Sequence, residues 1–344
     1  MANKLMFASD YQEGAHENIL HRLVETNLMS TSGYGTDEIC ASARDKIRKA
    51  CNCPDAQVEF LVGGTQTNAT VIASILRPYE GVIAVDSGHI NVHEAGAIEY
   101  TGHKVIALPG EDGKLSAATI ADFLHSYEID ENNDHTVKPG MVYVSQTTEY
   151  GTLYSKSELT AISQVCRQHD IPLYLDGARL AYALACPEND ITLPDLAQLC
   201  DAFYIGGTKC GALFGEAVVI PDSNLIPHFF TMIKQHGALL AKGRLLGIQF
   251  DELFSNNLYE EIGQTAISYA REITAALHKK GYKLYLNSPS NQIFFIIEND
   301  ALQKLSQQVE YSYIEKYDDN HSVIRFATSW ATTAESVQAL ISIL

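Results

Sequence analysis

The 344-residue sequence has no stretch approaching the roughly 18 apolar residues of a membrane-spanning helix. Nor is there an apolar run behind a basic stretch in Met1 to Asp10, so a cytoplasmic protein is expected. Positive charge is scarce: 24 Lys and Arg stand against 42 Asp and Glu, a formal net charge of -18. Such a surface repels phosphodiester backbones and anionic lipid heads, which argues against nucleic acid or a membrane as partner. Any anionic ligand must be held by locally placed cations or backbone amides. A disulfide framework is also missing. The seven cysteines (Cys40, Cys51, Cys53, Cys166, Cys186, Cys200 and Cys210) are odd in number and mostly in apolar contexts, so they read as reduced thiols. Cys51-Asn52-Cys53 is too closely spaced for CxxC chemistry and has no second pair, so no metal site is expected. No GxGxxG fingerprint follows the first apolar run, which speaks against a dehydrogenase. Internal repeats and low-complexity segments are absent.

What is present is ample apolar material, 46% of residues, enough for one large domain and a smaller one. Short apolar runs alternate with helical patterns. Val58-Val62, Val82-Val85, Val105-Leu108, Met141-Ser145, Pro172-Leu175, Ala202-Ile205 and Ala217-Ile220 read as strands. Thr67-Leu76, Val92-Tyr100, Leu115-Leu124 and Leu159-His169 read as helices. Strands this apolar are buried on both faces, and the alternation implies βαβ units with a mostly parallel sheet. Glu128-Pro139 reads as an exposed loop. A long helical region from about Leu225 to Lys280 follows, and then a mixed pattern. The division predicted is a large domain over residues 1–250 and a small α+β domain over 251–344.

In open α/β sheets ligands gather at the carboxyl ends of the strands. Four strands are followed there by residues that carry chemistry. Gly63-Gly64-Thr65-Gln66-Thr67-Asn68 opens a helix, whose free N–H groups suit a phosphate, although a plain capped helix start would look the same. Asp86-Ser87-Gly88-His89 offers a histidine that either stacks on a planar group, acts as acid or base, or is a loop residue. Asp176-Gly177-Ala178-Arg179 places a carboxylate where desolvation is costly. Asp176 therefore either pairs with Arg179, caps a helix, or meets a protonated ring nitrogen. Gly206-Gly207-Thr208-Lys209-Cys210-Gly211 sets a lone lysine among small residues, either as an exposed turn or as a buried amine suited to a Schiff base. The three parts that a pyridoxal 5'-phosphate (PLP) site needs thus occur in order along one sheet: phosphate anchor, pyridinium partner and Schiff-base lysine.

On these residues the chain resembles the low-specificity L-threonine aldolase family of fold-type I PLP enzymes, related to the β-eliminating lyases and phenylserine aldolases. The likeness runs from Ser9-Asp10 to Arg325. It is carried most specifically by Leu175-Asp176-Gly177-Ala178-Arg179, by Gly207-Thr208-Lys209, and by the His89 to Glu94 spacing followed by Ala95-Gly96-Ala97. The resemblance implies a PLP-dependent transferase-like large domain with a mostly parallel seven-stranded sheet, and PLP carried by Lys209. It further implies Asp176 on the pyridinium nitrogen, Gly64 and Thr65 on the phosphate, and His89 stacked on the ring near the substrate hydroxyl. Arg179 and Arg325 would grip the substrate carboxylate, with Ser9 as an N-terminal contact. Tyr34 would reach a neighbouring subunit's site, so a homodimer or homotetramer is implied. Thr208 stands where the family has Ser. Glu149 stands where several members carry a second histidine, and Ser329-Trp330 replace a histidine often found after the C-terminal arginine strand.

The activity implied is cleavage of L-threonine or L-allo-threonine to glycine and an aldehyde. The β-hydroxyl proton would go to His89, Glu149 or a water between them. Rival expectations are a phenylserine aldolase, a β-eliminating lyase or an amino-acid racemase on the same scaffold, and, from another class, a non-catalytic ligand-binding protein.

Overall fold

The computed structural model of the protein describes residues 4–344. Its centre is a seven-stranded sheet whose strands are, in chain order, β1 (Gln57–Leu61), β2 (Glu80–Val85), β3 (Val105–Leu108), β4 (Lys138–Ser145), β5 (Leu173–Asp176), β6 (Ala202–Gly206) and β7 (Glu216–Ile220). Across the sheet they lie in the order β1-β7-β6-β5-β4-β2-β3. Only β7 runs against its neighbours, antiparallel to both β1 and β6. The chain thus forms a mostly parallel sheet. β5, β6 and β7 are buried along their whole length, as strands covered on both faces must be.

Side chains alternate between the two faces. Val142, Val144, Leu173, Leu175, Phe203 and Ile205 belong to one core. Met141, Tyr143, Tyr174, Ala202 and Tyr204 face the other, where the helix Gly64–Ile75 contributes Val71 and Ile72. Three tyrosines on adjacent central strands therefore point to the same side, and this arrangement shapes the site.

Two helical expectations need correction. Val92-Tyr100 is not one helix: short helices His89–Val92 and Ala97–Tyr100 are separated by a turn in which Ala95 and Gly96 have φ of 52° and 72°. That left-handed pair ends the helical path and turns Glu94 inward. The long region after the sheet is divided into Phe229–Gln235, Arg244–Leu253 and Leu258–Lys279. The last of these is shared between cores: Leu258, Ile262 and Ala266 pack with the large one, and Ala270, Ile273 and Leu277 with a third.

That third core lies against a four-stranded antiparallel sheet in the order Ser312–Lys316, His321–Ala327, Gln292–Glu298, Lys283–Leu284. The N-terminal strand Leu5–Met6 pairs in parallel with Val309–Glu310, and the Phe7 carbonyl accepts a hydrogen bond from the Ala327 N–H. The first residues described are thereby fastened to the C-terminal part of the chain.

Candidate active site

The parallel strands end at one edge of the large sheet, and the chemistry-bearing turns gather there. Asp176, the last residue of β5, is 4% exposed. It does not pair with Arg179. Its Oδ2 accepts from the Tyr143 hydroxyl at 2.6 Å and Asn68 Nδ2 at 3.1 Å, and its Oδ1 from the Tyr204 hydroxyl at 2.5 Å and the Ala178 N–H at 3.0 Å. Burial alone would raise its pKa. The positive charge available at His89 and the hydrogen bonds from Tyr143, Tyr204 and Ala178 outweigh burial and hold the carboxyl below its ordinary range. A carboxylate kept ionised in the interior suits a protonated heterocyclic nitrogen.

The tyrosines and Asn68 are the residues that sequence reasoning missed. A tyrosine inside an apolar strand reads as packing. The usable signal is that Tyr143, Tyr174 and Tyr204 each stand two positions before the residue at the strand tip, Ser145, Asp176 or Gly206. A two-residue step keeps them on Asp176's face. The Tyr174 hydroxyl completes the set by donating to Asn68 Oδ1 at 2.9 Å.

Lys209 follows β6 in a turn anchored on every side. The Tyr259 hydroxyl donates to the Gly206 carbonyl at 3.0 Å and the Tyr182 hydroxyl to the Lys209 carbonyl at 2.5 Å, and the Gly207 N–H reaches the Gly215 carbonyl at 3.0 Å. Thr208 Oγ1 accepts the Gly215 N–H at 3.0 Å. The backbone is held, whereas the Lys209 amine makes no hydrogen bond or ion pair among the described residues. The lysine is half-buried, neither of the two extremes expected from sequence.

The helix Gly64–Ile75 begins after β1 with Gly63 at its N-cap and no side chain capping it. The first N–H bonded back is that of Thr67, to the Gly63 carbonyl, so the N–H groups of Gly64, Thr65 and Gln66 remain for a ligand. A Cβ at Gly63 would meet open space, and the hydroxyl of Thr67 is buried with no partner. A cleft of about 1000 Å³ lined by Thr65, Gln66, Glu94, Gly96 and Tyr100 opens beside this helix end. An anion-binding helix start, an ionised buried carboxylate and an unpaired lysine at one sheet edge fit the three attachment points of PLP.

His89 donates or accepts through Nδ1 at 2.7 Å from Glu94 Oε1, which also takes Asn68 Nδ2 at 2.7 Å. Asn68 thus connects the histidine pair to Asp176. Burial disfavours charge on His89, but the Glu94 hydrogen bond and the carboxylates of Glu149 and Asp176 prevail and raise its pKa. Glu149 is half-buried, faces His89, Arg179 and Arg325, and has no hydrogen bond among the described residues.

Arg179 is almost wholly buried, and its guanidinium is engaged twice by Asp10, Nε to Oδ2 at 2.7 Å and Nη2 to Oδ1 at 3.1 Å. Asn291 Nδ2 supports Asp10 Oδ2 at 2.9 Å. Burial works against both charges, yet their attraction drives the Asp10 pKa down and the Arg179 pKa up. Two of the guanidinium's three nitrogens are committed, so Nη1 is the one left to meet a substrate. Arg325, on His321–Ala327, donates from Nη1 to Gln292 Oε1 at 2.8 Å and from Nη2 to the Ala8 carbonyl and Ser312 Oγ, while its Nε is buried without a partner. Burial and the nearby charge of Arg179 lower its pKa. Ser9 lies between Ala8 and Asp10, half-buried and without a hydrogen bond among the described residues. Tyr34 lies apart from this group. It is 41% exposed with φ of 59°, and the Lys234 ammonium sits 4.4 Å from its ring centroid. The cysteines are free thiols, and no cluster of possible metal ligands occurs among the described residues.

Known proteins share this architecture. A threonine aldolase structure from Leishmania major is 45% identical, covers 98% of both chains and superposes with a TM-score of 0.95. The low specificity L-threonine aldolase of Pseudomonas aeruginosa is 29% identical over 97% of this chain and 95% of its own. An aspartate aminotransferase double mutant from Thermus thermophilus, 14% identical with a TM-score of 0.72 over 99% of this chain and 91% of its own, shares the fold. The model of the beta-eliminating lyase family matches residues 7–298, taking in the whole large sheet and its turns from Gly63 to Lys209, and the chain belongs to that family.

Proposed function

We propose that the protein is a PLP-dependent aldolase that cleaves L-threonine and L-allo-threonine to glycine and acetaldehyde. The observation that carries this reading is the meeting of Lys209, the ionised Asp176 and the uncapped helix start at one sheet edge, together with the relatives' names. Lys209 would hold the cofactor's carbonyl carbon, Gly64 and Thr65 its phosphate, Asp176 its ring nitrogen and His89 its face, with Thr208 fixing the lysine turn. When bound, PLP supplies an electron sink for the pair left on Cα as the Cα–Cβ bond breaks.

The chain's own groups do the rest. Asp176, supplied by four donors, keeps a proton on the ring nitrogen. Arg325, with an unpartnered Nε, and the remaining Nη1 of Arg179 bind the substrate carboxylate and orient the scissile bond, with Ser9 beside them. Glu149 accepts the β-hydroxyl proton. It is the carboxylate beside His89 with no hydrogen bond of its own among the described residues, whereas one ring nitrogen of His89 is committed to Glu94 and three carboxylates favour its charged form.

Tyr34, exposed on a left-handed turn, would reach the site of a second copy in a homodimer or homotetramer. No helix of the described residues is long and apolar enough to cross a membrane. The proposed substrates are small molecules, with the cytoplasm as the proposed setting.

The test is to incubate the purified protein with PLP and each threonine stereoisomer, measuring glycine and acetaldehyde, with Lys209→Ala as control. Equal amounts of both products, lost in the variant, are expected. 2-Oxobutanoate with ammonia, or an inverted amino acid, in their place would move the assignment to a β-lyase or racemase.

A further inference from the structure

Glu216 has no part in the reaction described above, yet its position calls for a role. Because β7 runs antiparallel, its first residue lies at the same edge where the parallel strands end, opposite Gly206 on one side and Leu61 on the other. Glu216 is 3% exposed and forms no ion pair among the described residues. Its Oε2 accepts the Gly207 N–H at 3.1 Å, and the Thr208 side chain lies beside it. Both belong to the residues immediately before Lys209. The groups facing it are Lys209, Asp176, Cys210, Tyr174, Tyr204 and Tyr259, among which Lys209 is the one cation.

We propose that Glu216 is a positioning residue for Lys209, seating the lysine-bearing turn through Gly207 and Thr208 and stabilising positive charge where the amine meets its cofactor. The proposal rests on Lys209 being the PLP-bearing residue.

Three further points support it. A buried acid without a cation in contact is a poor structural choice. Burial raises the Glu216 pKa to about 8, against the pull of the Thr208 hydroxyl, the Gly207 N–H and the Lys209 charge. A carboxyl raised on folding binds more protons folded than unfolded between its ordinary value and about 8, so it removes stability as pH rises through that window. Glu216 is therefore a liability to the fold at neutral and alkaline pH. Its hydrogen bond from Gly207 is directed at the lysine turn. The Thr208 hydroxyl accepts the Gly215 N–H next to Glu216. The two ends of the turn are thus linked through one side chain.

The experiment uses the full chain with Glu216→Gln, Glu216→Asp and Lys209→Ala. Three quantities are read: the visible absorption of bound PLP from pH 6 to 9.5, the rate of PLP uptake by the cofactor-free chain, and Tm of that chain at pH 6 and 9. The amide of Glu216→Gln keeps an acceptor for Gly207 but carries no charge. It is expected to raise Tm at pH 9 more than at pH 6, and to move the pH midpoint of the absorption change downward by at least about half a unit, a threefold change in the underlying equilibrium. Glu216→Asp keeps the charge but draws the carboxylate back from Gly207; it is expected to leave the midpoint within about 0.2 unit of the parent and to slow PLP uptake about threefold or more. A Glu216→Gln titration superimposable on the parent's overturns the proposal even if Tm rises, since a purely structural acid would give that pattern. Lys209→Ala reports separately on the underlying reading: if it binds PLP with the parent's spectrum, Lys209 is not the PLP-bearing residue, and that failure is distinct from a null result at Glu216.

Discussion

At the scale of single residues, the contrast between Asp176 and Glu216 shows how the same edge of the sheet sets opposite charge states. Both carboxyls are buried, but Asp176 has four donors and is held ionised, whereas Glu216 is pushed up. Asp176→Asn leaves the shape and turns an acceptor into a donor facing the Tyr143 or Tyr204 hydroxyl. Turnover of L-threonine is expected to fall by about two to three orders of magnitude, as when a group aimed at developing charge is removed. The pH dependence has a defined sign: a carboxyl depressed on folding contributes stability above its ordinary pKa and loses it as pH falls through the folded value. The Tm deficit of Asp176→Asn, followed by calorimetry, should therefore be full at pH 7 and shrink below about pH 4. Glu149→Gln makes a different prediction. If Glu149 takes only the β-hydroxyl proton, threonine cleavage drops about 10²- to 10⁴-fold, while exchange of the glycine α-proton with solvent, followed by NMR, stays near the parent rate. Loss of both in parallel would remove Glu149 from that role.

At the scale of elements, the sheet was legible because most of its strands are apolar runs with a turn behind them, and burial on both faces, complete in β5, β6 and β7, requires such runs. Lys209, Asp176, His89 and the glycine turn were legible for the same reason, since each lies at or shortly after the end of a strand that could be located. What could not be read was direction across the sheet. Nothing local in Ala217-Ile220 says that this strand runs backwards, so Glu216, one residue before it, was not singled out. The break at Glu94-Gly96 was hidden too, because a left-handed Ala95 has no sequence signature. Tyr143, Tyr174 and Tyr204 counted as packing because their hydroxyl partners come from other strands and from Asn68 on the helix Gly64–Ile75. That helix start supports its own prediction. A Cβ at Gly64 would lie 3.2 Å from the Tyr204 hydroxyl, which is pinned by Asp176 and cannot easily yield. Gly64→Ala should weaken PLP affinity about tenfold, measured by equilibrium dialysis, with only a small change in Tm, because alanine otherwise suits a helix.

At the scale of the whole molecule, the site joins parts of the chain that are far apart in sequence. The N-terminal residues are held by the C-terminal strands through Leu5–Met6 and the Ala8 carbonyl, and two residues later Asp10 clasps Arg179 beside β5. Removing one partner of a buried ion pair strands the other, so Asp10→Ala should cost about 3–5 kcal/mol in denaturant unfolding and raise KM for threonine, because Arg179 loses its fixed orientation. The proposed assembly contains a pair of chains in which the exposed Tyr34 of one would complete the other's site. This is open to a mixing experiment whose outcome follows from symmetry. In a hybrid of a Lys209→Ala chain with a Tyr34→Ala chain, the second chain has its own lysine and receives the intact tyrosine of the first. That one site is of parent type, whereas both homodimers are defective at every site. Random reassortment of equal amounts yields hybrids for half of the dimers, each with one good site in two, so activity should recover to about a quarter of the parent's. If Tyr34 instead served its own chain, hybrids would contain no intact site. Mixing would then give only the average of the two variants, however completely the subunits exchange.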